Sequence, residues 1–145
     1  METQPTADTT GVQANIDLVR ETYDCFFKGD IETLMEKYTE DVHWEVYGPP
    51  SLPTAGPRIG KEALKLFFGQ VAELLESNKF EVQEYIAQGD PVVSLGEYNW
   101  TSRITGKQME AHFVHAVTVR DGKICKFREY TDTHAAVAAM TWFLE

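Results

Sequence analysis

Residues 26–46, "FFKGDIETLMEKYTEDVHWEV", change their apolar repeat twice within one short span. Upstream of Gly29, the residues Ile16, Val19, Tyr23, Phe26 and Phe27 recur at three- and four-residue spacing, which predicts an amphipathic helix over about 12–28 that Gly29 ends. Asp30 supplies an N-cap for a second, shorter helix, "IETLMEKY", with Ile31, Leu34, Met35 and Tyr38 in one stripe. From Asp41 the period falls to two. Val42, Trp44 and Val46 alternate with His43, Glu45 and Tyr47, as in a half-buried strand.

Beyond this stretch, "GPPSLPTAGPRIG" at 48–60 holds four prolines and three glycines, which predicts an irregular loop long enough to cover a pocket mouth. "KEALKLFFGQVAELLESN" restores the helical period through Ala63, Leu64, Phe67, Phe68, Val71 and Leu75. Four strand-like runs follow, at about 79–88, 91–103, 107–120 and 123–131, separated by "QGDP", "ITGKQ" and "RDGK". Turns this short make consecutive strands antiparallel neighbours. A last helix, "THAAVAAMTWFLE", takes Asp132 or Thr133 as its cap. The fold class expected is α+β, a curved mixed or antiparallel sheet with helices packed on its concave face.

A chain of 145 residues, 43% hydrophobic, fits one domain with a core of its own. Residues 1–11 are expected as a disordered tail and 12–145 as the domain. The formal net charge of -10 opposes contact with nucleic acid or anionic membrane. Cys25 and Cys125 lack ligand or disulfide spacing and read as reduced core residues, so no metal site is expected. The N-terminus has no signal-peptide pattern and no apolar run reaches membrane-span length, so the expected location is the cytoplasm.

The strand at 107–120 poses the chemical question. Phe113, Val117 and Val119 occupy one face of it, and His115 shares that face. It is either a core histidine with a structural partner or the working part of a pocket. Whether Glu129 joins it depends on the hairpin. A three-residue loop, Arg120-Asp121-Gly122, pairs Val117 with Cys125, His115 with Phe127 and Phe113 with Glu129, all on one face. A two-residue Asp-Gly loop brings Lys126 and Arg128 to that face instead. The first is preferred, because it buries Cys125 and Phe127 and leaves the cations outside.

On strand 91–103, Glu97 and Asn99 share the alternation of Val93 and Leu95 and are read as inward candidates. A carboxylate in an apolar pocket would serve as an acid or base; at the rim it would be merely solvated. Trp44, Phe67, Phe68 and Phe113 line a ligand cavity or form plain core. Tyr130 and His112 are expected on the opposite sheet face.

The segments "FFKGDIETLMEKYTEDVHWEV", "GKEALKLFF" and "VRDGKICKFREYTDT", with the Pro/Gly loop between the first two, resemble the SnoaL-like branch of the NTF2-like superfamily over about 12–140. That branch is similar to polyketide cyclases, ketosteroid isomerases and limonene epoxide hydrolases. The resemblance implies a cone-shaped fold with a pocket between sheet and helices, and a homodimer through the outer sheet face. It places His115 where relatives carry an inward acid. Val46 stands where ketosteroid isomerases carry their base, and Thr22, next to Tyr23, where they carry their oxyanion tyrosine.

The expected function is cofactor-free acid-base chemistry on a small hydrophobic or carbonyl-bearing substrate, with His115, Glu129 and Glu97 catalytic. Trp44, Val46, Tyr23, Phe67, Phe68, Asn99 and Phe113 are expected at the ligand. The alternatives are a non-catalytic binding protein for a small hydrophobic ligand and a protein-interaction module.

Overall fold

The computed structural model describes residues 9–141. Its elements run α1 (Thr9–Lys28), α2 (Ile31–Met35), β1 (Tyr38–Val46), β2 (Gly56–Ile59), α3 (Lys61–Leu74), β3 (Leu75–Ala87), β4 (Pro91–Ser102), β5 (Gln108–Arg120), β6 (Lys123–Thr131) and α4 (Thr133–Met140). The six strands form one sheet in the order β2-β1-β6-β5-β4-β3. Only β1 and β6 pair in parallel. The result is the mixed α+β architecture expected from the sequence.

Element boundaries depart from the periodicity at several points. α1 starts at Thr9, so residues 9–11 of the expected tail are helical; the rest of that tail, and residues 142–145 of the expected last helix, lie outside the described residues. α2 ends at Met35, because tight turns from Glu36 and Lys37 close it and the Ile124 amide then takes the Lys37 carbonyl at 2.8 Å. Tyr38 therefore opens β1 and buries its ring in the core. Inside the Pro/Gly loop, Gly56–Ile59 forms an edge strand on β1, where Pro57 is tolerated because an edge strand need not donate on both sides. Leu75 begins β3 directly after α3.

Helices and sheet meet through their apolar faces. Val19 of α1, Leu64, Phe67, Phe68 and Val71 of α3, Val42, Trp44 and Val46 of β1, and Ile124 and Phe127 of β6 make one buried cluster. Each fully buried side chain of this size contributes about 1.5–3 kcal/mol. Asp132 caps α4 by accepting the Ala135 amide at 3.0 Å. Among the described residues no helix is long and apolar enough to cross a membrane.

The turn between β5 and β6 settles the register in a way neither expected pairing describes. Asp121 and Gly122 both have positive φ, 52° and 78°, so the loop has two residues, as a primed turn requires. A bulge at Cys125 then shifts the pairing by one, placing Val117 opposite Phe127 and His115 opposite Glu129. The bulge brings Phe127 and Glu129 to the face of His115, as the three-residue loop was expected to do, and Lys126 stays outside; Cys125, expected in the core, is only half-buried, because it is the bulged residue and Ile124 takes the buried place.

Candidate functional site

His115 sits on the inner face of β5, 5% exposed, between the rings of Phe113 and Phe127. Its Nε2 lies 2.8 Å from Glu129 Oε1 on β6 and its Nδ1 2.7 Å from the Tyr23 hydroxyl on α1. That hydroxyl also lies 2.6 Å from Ser94 Oγ on β4. On the other side, the Tyr98 hydroxyl donates to Glu129 Oε2 at 3.1 Å. Ser94, Tyr23, His115, Glu129 and Tyr98 thus form one hydrogen-bonded chain drawn from four elements.

One arrangement of hydrogens satisfies every donor in this chain. With Glu129 ionised, Nε2–H donates to it, the Nδ1 lone pair accepts the Tyr23 hydrogen, and Ser94 donates to the Tyr23 oxygen. A proton arriving at Nδ1 reverses the row: imidazolium donates to Tyr23, whose hydrogen is released to another acceptor. Burial raises the Tyr23 phenol well above its ordinary value, so it acts as a neutral donor. Burial, reinforced by the Glu129 charge, raises Tyr98 likewise.

This chain borders a cavity of about 140 Å³, walled by Tyr23, Phe26, Trp44, Val46, Phe67, Phe68 and Phe127 among others. Trp44 stacks on Phe127 at 3.6 Å. Leu52 and Thr54 of the Pro/Gly loop and Ala136, Ala139 and Met140 of α4 complete the wall. The loop is fastened by Arg58, whose guanidinium donates to the Thr54 carbonyl at 3.1 Å, to that of Gly56 at 3.4 Å, and to those of Pro53 and the Gln70 side chain at 3.3 Å each, while lying over the Phe67 ring. Among the described residues no group of three or more His, Cys, Asp or Glu side chains is placed to hold a metal.

The expected site residues divide. Tyr23, Trp44, Val46, Phe67, Phe68, His115 and Glu129 border the cavity. Phe113 lies just behind, 4.3 Å from the His115 ring, in a second cluster with Tyr98 and Ala111. Glu97 and Asn99 do not face inward, which corrects that expectation. β4 turns Val92, Ser94, Gly96 and Tyr98 to the core, and Glu97 points outward to Lys79 at 2.8 Å and His112 at 3.8 Å. Hydrogen bonding from Lys79, then from Gln83, holds the Glu97 carboxyl below the usual carboxylate range. Asn99 accepts from Asn78 on the same outer face.

The inversion has a packing cause. Ser94 pairs with His115 and Gly96 with Phe113, so the inward positions of β4 must be small to admit those rings. Small residues carry no hydropathic signal, and the larger outer residues imitate the core face. Ser94 and Tyr98 were therefore missed as polar members of the site. A four-residue loop, Arg103–Gly106, would have placed both on the face of His115.

The SnoaL-like domain family matches residues 19–127. An NTF2-like protein from Burkholderia xenovorans LB400 is 31% identical with a TM-score of 0.84, over 90% of this chain and 98% of its own. TerC, co-crystallised with polyporic acid, is 28% identical with a TM-score of 0.78, over 88% of this chain and 98% of TerC. A protein from Mesorhizobium loti described as a SnoaL-like polyketide cyclase is 25% identical with a TM-score of 0.65, over 79% of this chain and 97% of that one. No curated protein matches the chain significantly. With the family match running from α1 into β6 and the NTF2-like sheet and helices in place, the chain belongs to the SnoaL-like domain family.

Proposed function

We propose that the cavity carries out cofactor-free acid-base chemistry, of the isomerase, cyclase or hydrolase class, on a small, mostly apolar, carbonyl-bearing molecule in the cytoplasm. The observation that supports this most is the unbroken chain from Ser94 to Tyr98 through His115 and Glu129, whose carboxylate lies on the cavity wall. Both imidazole nitrogens are already engaged, so the groups left to meet a substrate are Glu129, whose oxygens keep unused lone pairs, and Tyr23. Glu129 takes a proton from the carbon beside the carbonyl. The electron pair moves to the carbonyl oxygen, which the Tyr23 hydroxyl stabilises by turning its hydrogen from His115 Nδ1 to that oxygen, and the proton held by Glu129 then returns to a carbon or oxygen of the substrate.

Solvent deuterium incorporation beside the carbonyl of small cyclic and aryl ketones, followed by NMR, tests this. The wild-type protein is expected to accelerate exchange, and Glu129→Gln to remove about 10²–10⁴-fold of that acceleration. Ketones that bind without any exchange would instead support a second reading, a non-catalytic binding protein. That reading is favoured by the internal partner already present for each nitrogen of His115 and each oxygen of Glu129. The co-crystal of the similar TerC with polyporic acid accords with a small organic ligand in either case.

For assembly we propose a homodimer through the outer sheet face. Val93 and Leu95 of β4 lie there beside Ala116 and Val114 of β5, an aliphatic centre flanked by Tyr130. Light scattering at micromolar concentration is expected to give twice the chain mass, and the single-chain mass refutes it.

A further inference from the structure

A groove of about 460 Å³ opens on the outside of the molecule, between the end of α1, the middle of α3, the start of β3 and the end of β4. Phe26, Phe27, Phe68, Val71, Leu75 and Trp100 border both this groove and the cavity, so these side chains are the partition between them. Phe27 is 43% exposed, with its ring 4.9 Å from Phe80 and 6.3 Å from Trp100. An exposed ring changes rotamer on a fast timescale, so Phe27 is the member of this partition freest to move.

The groove differs from the cavity in charge. Lys65 of α3 and Arg103, the residue after β4, both border it, and among the described residues no Asp or Glu does. Arg103 donates Nε to the Ala72 carbonyl at 3.2 Å, which anchors the guanidinium at the groove edge without a carboxylate partner. Lys65 makes no ion pair among the described residues. Elsewhere Lys37 is matched with Glu21, Lys79 with Glu97 and Arg120 with Asp41, while Lys28, Arg58, Lys123, Lys126 and Arg128 make no ion pair among the described residues, and none of these borders the groove. In a chain of net charge -10, two unmatched cations on one acid-free apolar groove form a local site for negative charge.

We infer that this groove holds the anionic end of an amphipathic ligand whose apolar end fills the cavity, an organic oxyanion carrying a ring or short chain. The inference rests on the reading of the cavity as an apolar ligand site. A void of ~150 Å³ with apolar walls accepts a molecule as small as benzene, which sets the scale of the apolar end. Arg103 offers a planar fork and Lys65 a point charge, both suited to carboxylate or phosphate.

Calorimetric titration with phenylbutanoate, phenylbutyl phosphate and phenylbutanol tests it, using the wild-type protein, Lys65→Gln and the double variant Lys65→Gln/Arg103→Gln. The wild type is expected to bind at least one anion about tenfold more tightly than the alcohol. That preference shrinks with added salt, falls in Lys65→Gln and vanishes in the double variant, while the affinity for the alcohol stays unchanged. The larger of the two anion preferences identifies carboxylate or phosphate as the preferred head. Equal affinity for alcohol and anions, or a preference retained by the double variant, overturns the groove assignment and leaves the apolar cavity standing. Failure of all three probes to bind overturns both.

Discussion

Gly96 on β4 lies opposite Phe113 on β5, so close that a β-carbon added to it would fall 2.6 Å from the ring and also strike the Glu81 carbonyl of β3. The ring stacks on Phe80 and Tyr98 and abuts His115, so it has no free direction in which to withdraw. Gly96→Ala is expected to destabilise the protein by about 1–3 kcal/mol, through overpacking rather than backbone strain. Thermal denaturation reads this as a fall of several degrees, and an unchanged midpoint would show that the sheet yields there.

Tyr23 joins α1 to the sheet by polar contacts to both Ser94 and His115. Tyr23→Phe strands two buried partners at once and is expected to cost about 1–3 kcal/mol. Ser94→Ala removes only one of them. In a double-mutant cycle by chemical denaturation the two changes should couple by about 0.5 kcal/mol or more, whereas strict additivity would mean the hydroxyls are not energetically linked.

Alkaline titration should separate the tyrosines. Burial raises the phenols of Tyr23, Tyr38 and Tyr98 well above their ordinary value. Because the folded pKa exceeds the unfolded one, the stabilisation is complete below the unfolded value of ~10 and is withdrawn as the pH rises above it. These three of the six tyrosines are expected to ionise only as the protein unfolds, so the later phenolate absorbance should coincide with loss of circular dichroism. Reversible ionisation of all six in one phase would contradict the buried network.

Arg58 ties Pro53, Thr54 and Gly56 to α3, and Leu52 and Thr54 of the same loop wall the cavity. Arg58→Ala is expected to speed amide hydrogen exchange over residues 52–56 and to quicken release of a cavity probe such as phenylbutanol. Arg58→Lys should not restore either property, since a single ammonium cannot span carbonyls held by a planar fork. Unaltered exchange in the loop would show that its own packing suffices.

The sequence was most legible where one residue type carried one signal. On β5 the buried set Ala111, Phe113, His115, Val117 and Val119 follows strict alternation, and the face of His115 could be read directly. On β4 the same logic pointed the wrong way, because Ser94 and Gly96 are small to accommodate the rings of their neighbours. The junction of α3 and β3 was hidden for another reason: Leu74 and Leu75 are adjacent with no Gly or Pro between them, so the helical period ran on without interruption. Glu129 reached the expected face by an unexpected route, since the bulge at Cys125 belongs to tertiary packing and has no local sequence mark.

The parallel pairing of β1 with β6 joins residues 38–46 to residues 123–131. During synthesis, β1 and its partner β2 leave the ribosome long before β6 exists, and until β6 arrives β1 offers an apolar strand with one unsatisfied edge. Distant pairings of this kind slow folding and expose such edges to other chains. The last strand therefore completes the sheet, covers a nascent aggregation-prone surface and delivers Glu129 to His115 in a single event, so a newly made molecule acquires its polar site at the moment it becomes safe from its neighbours.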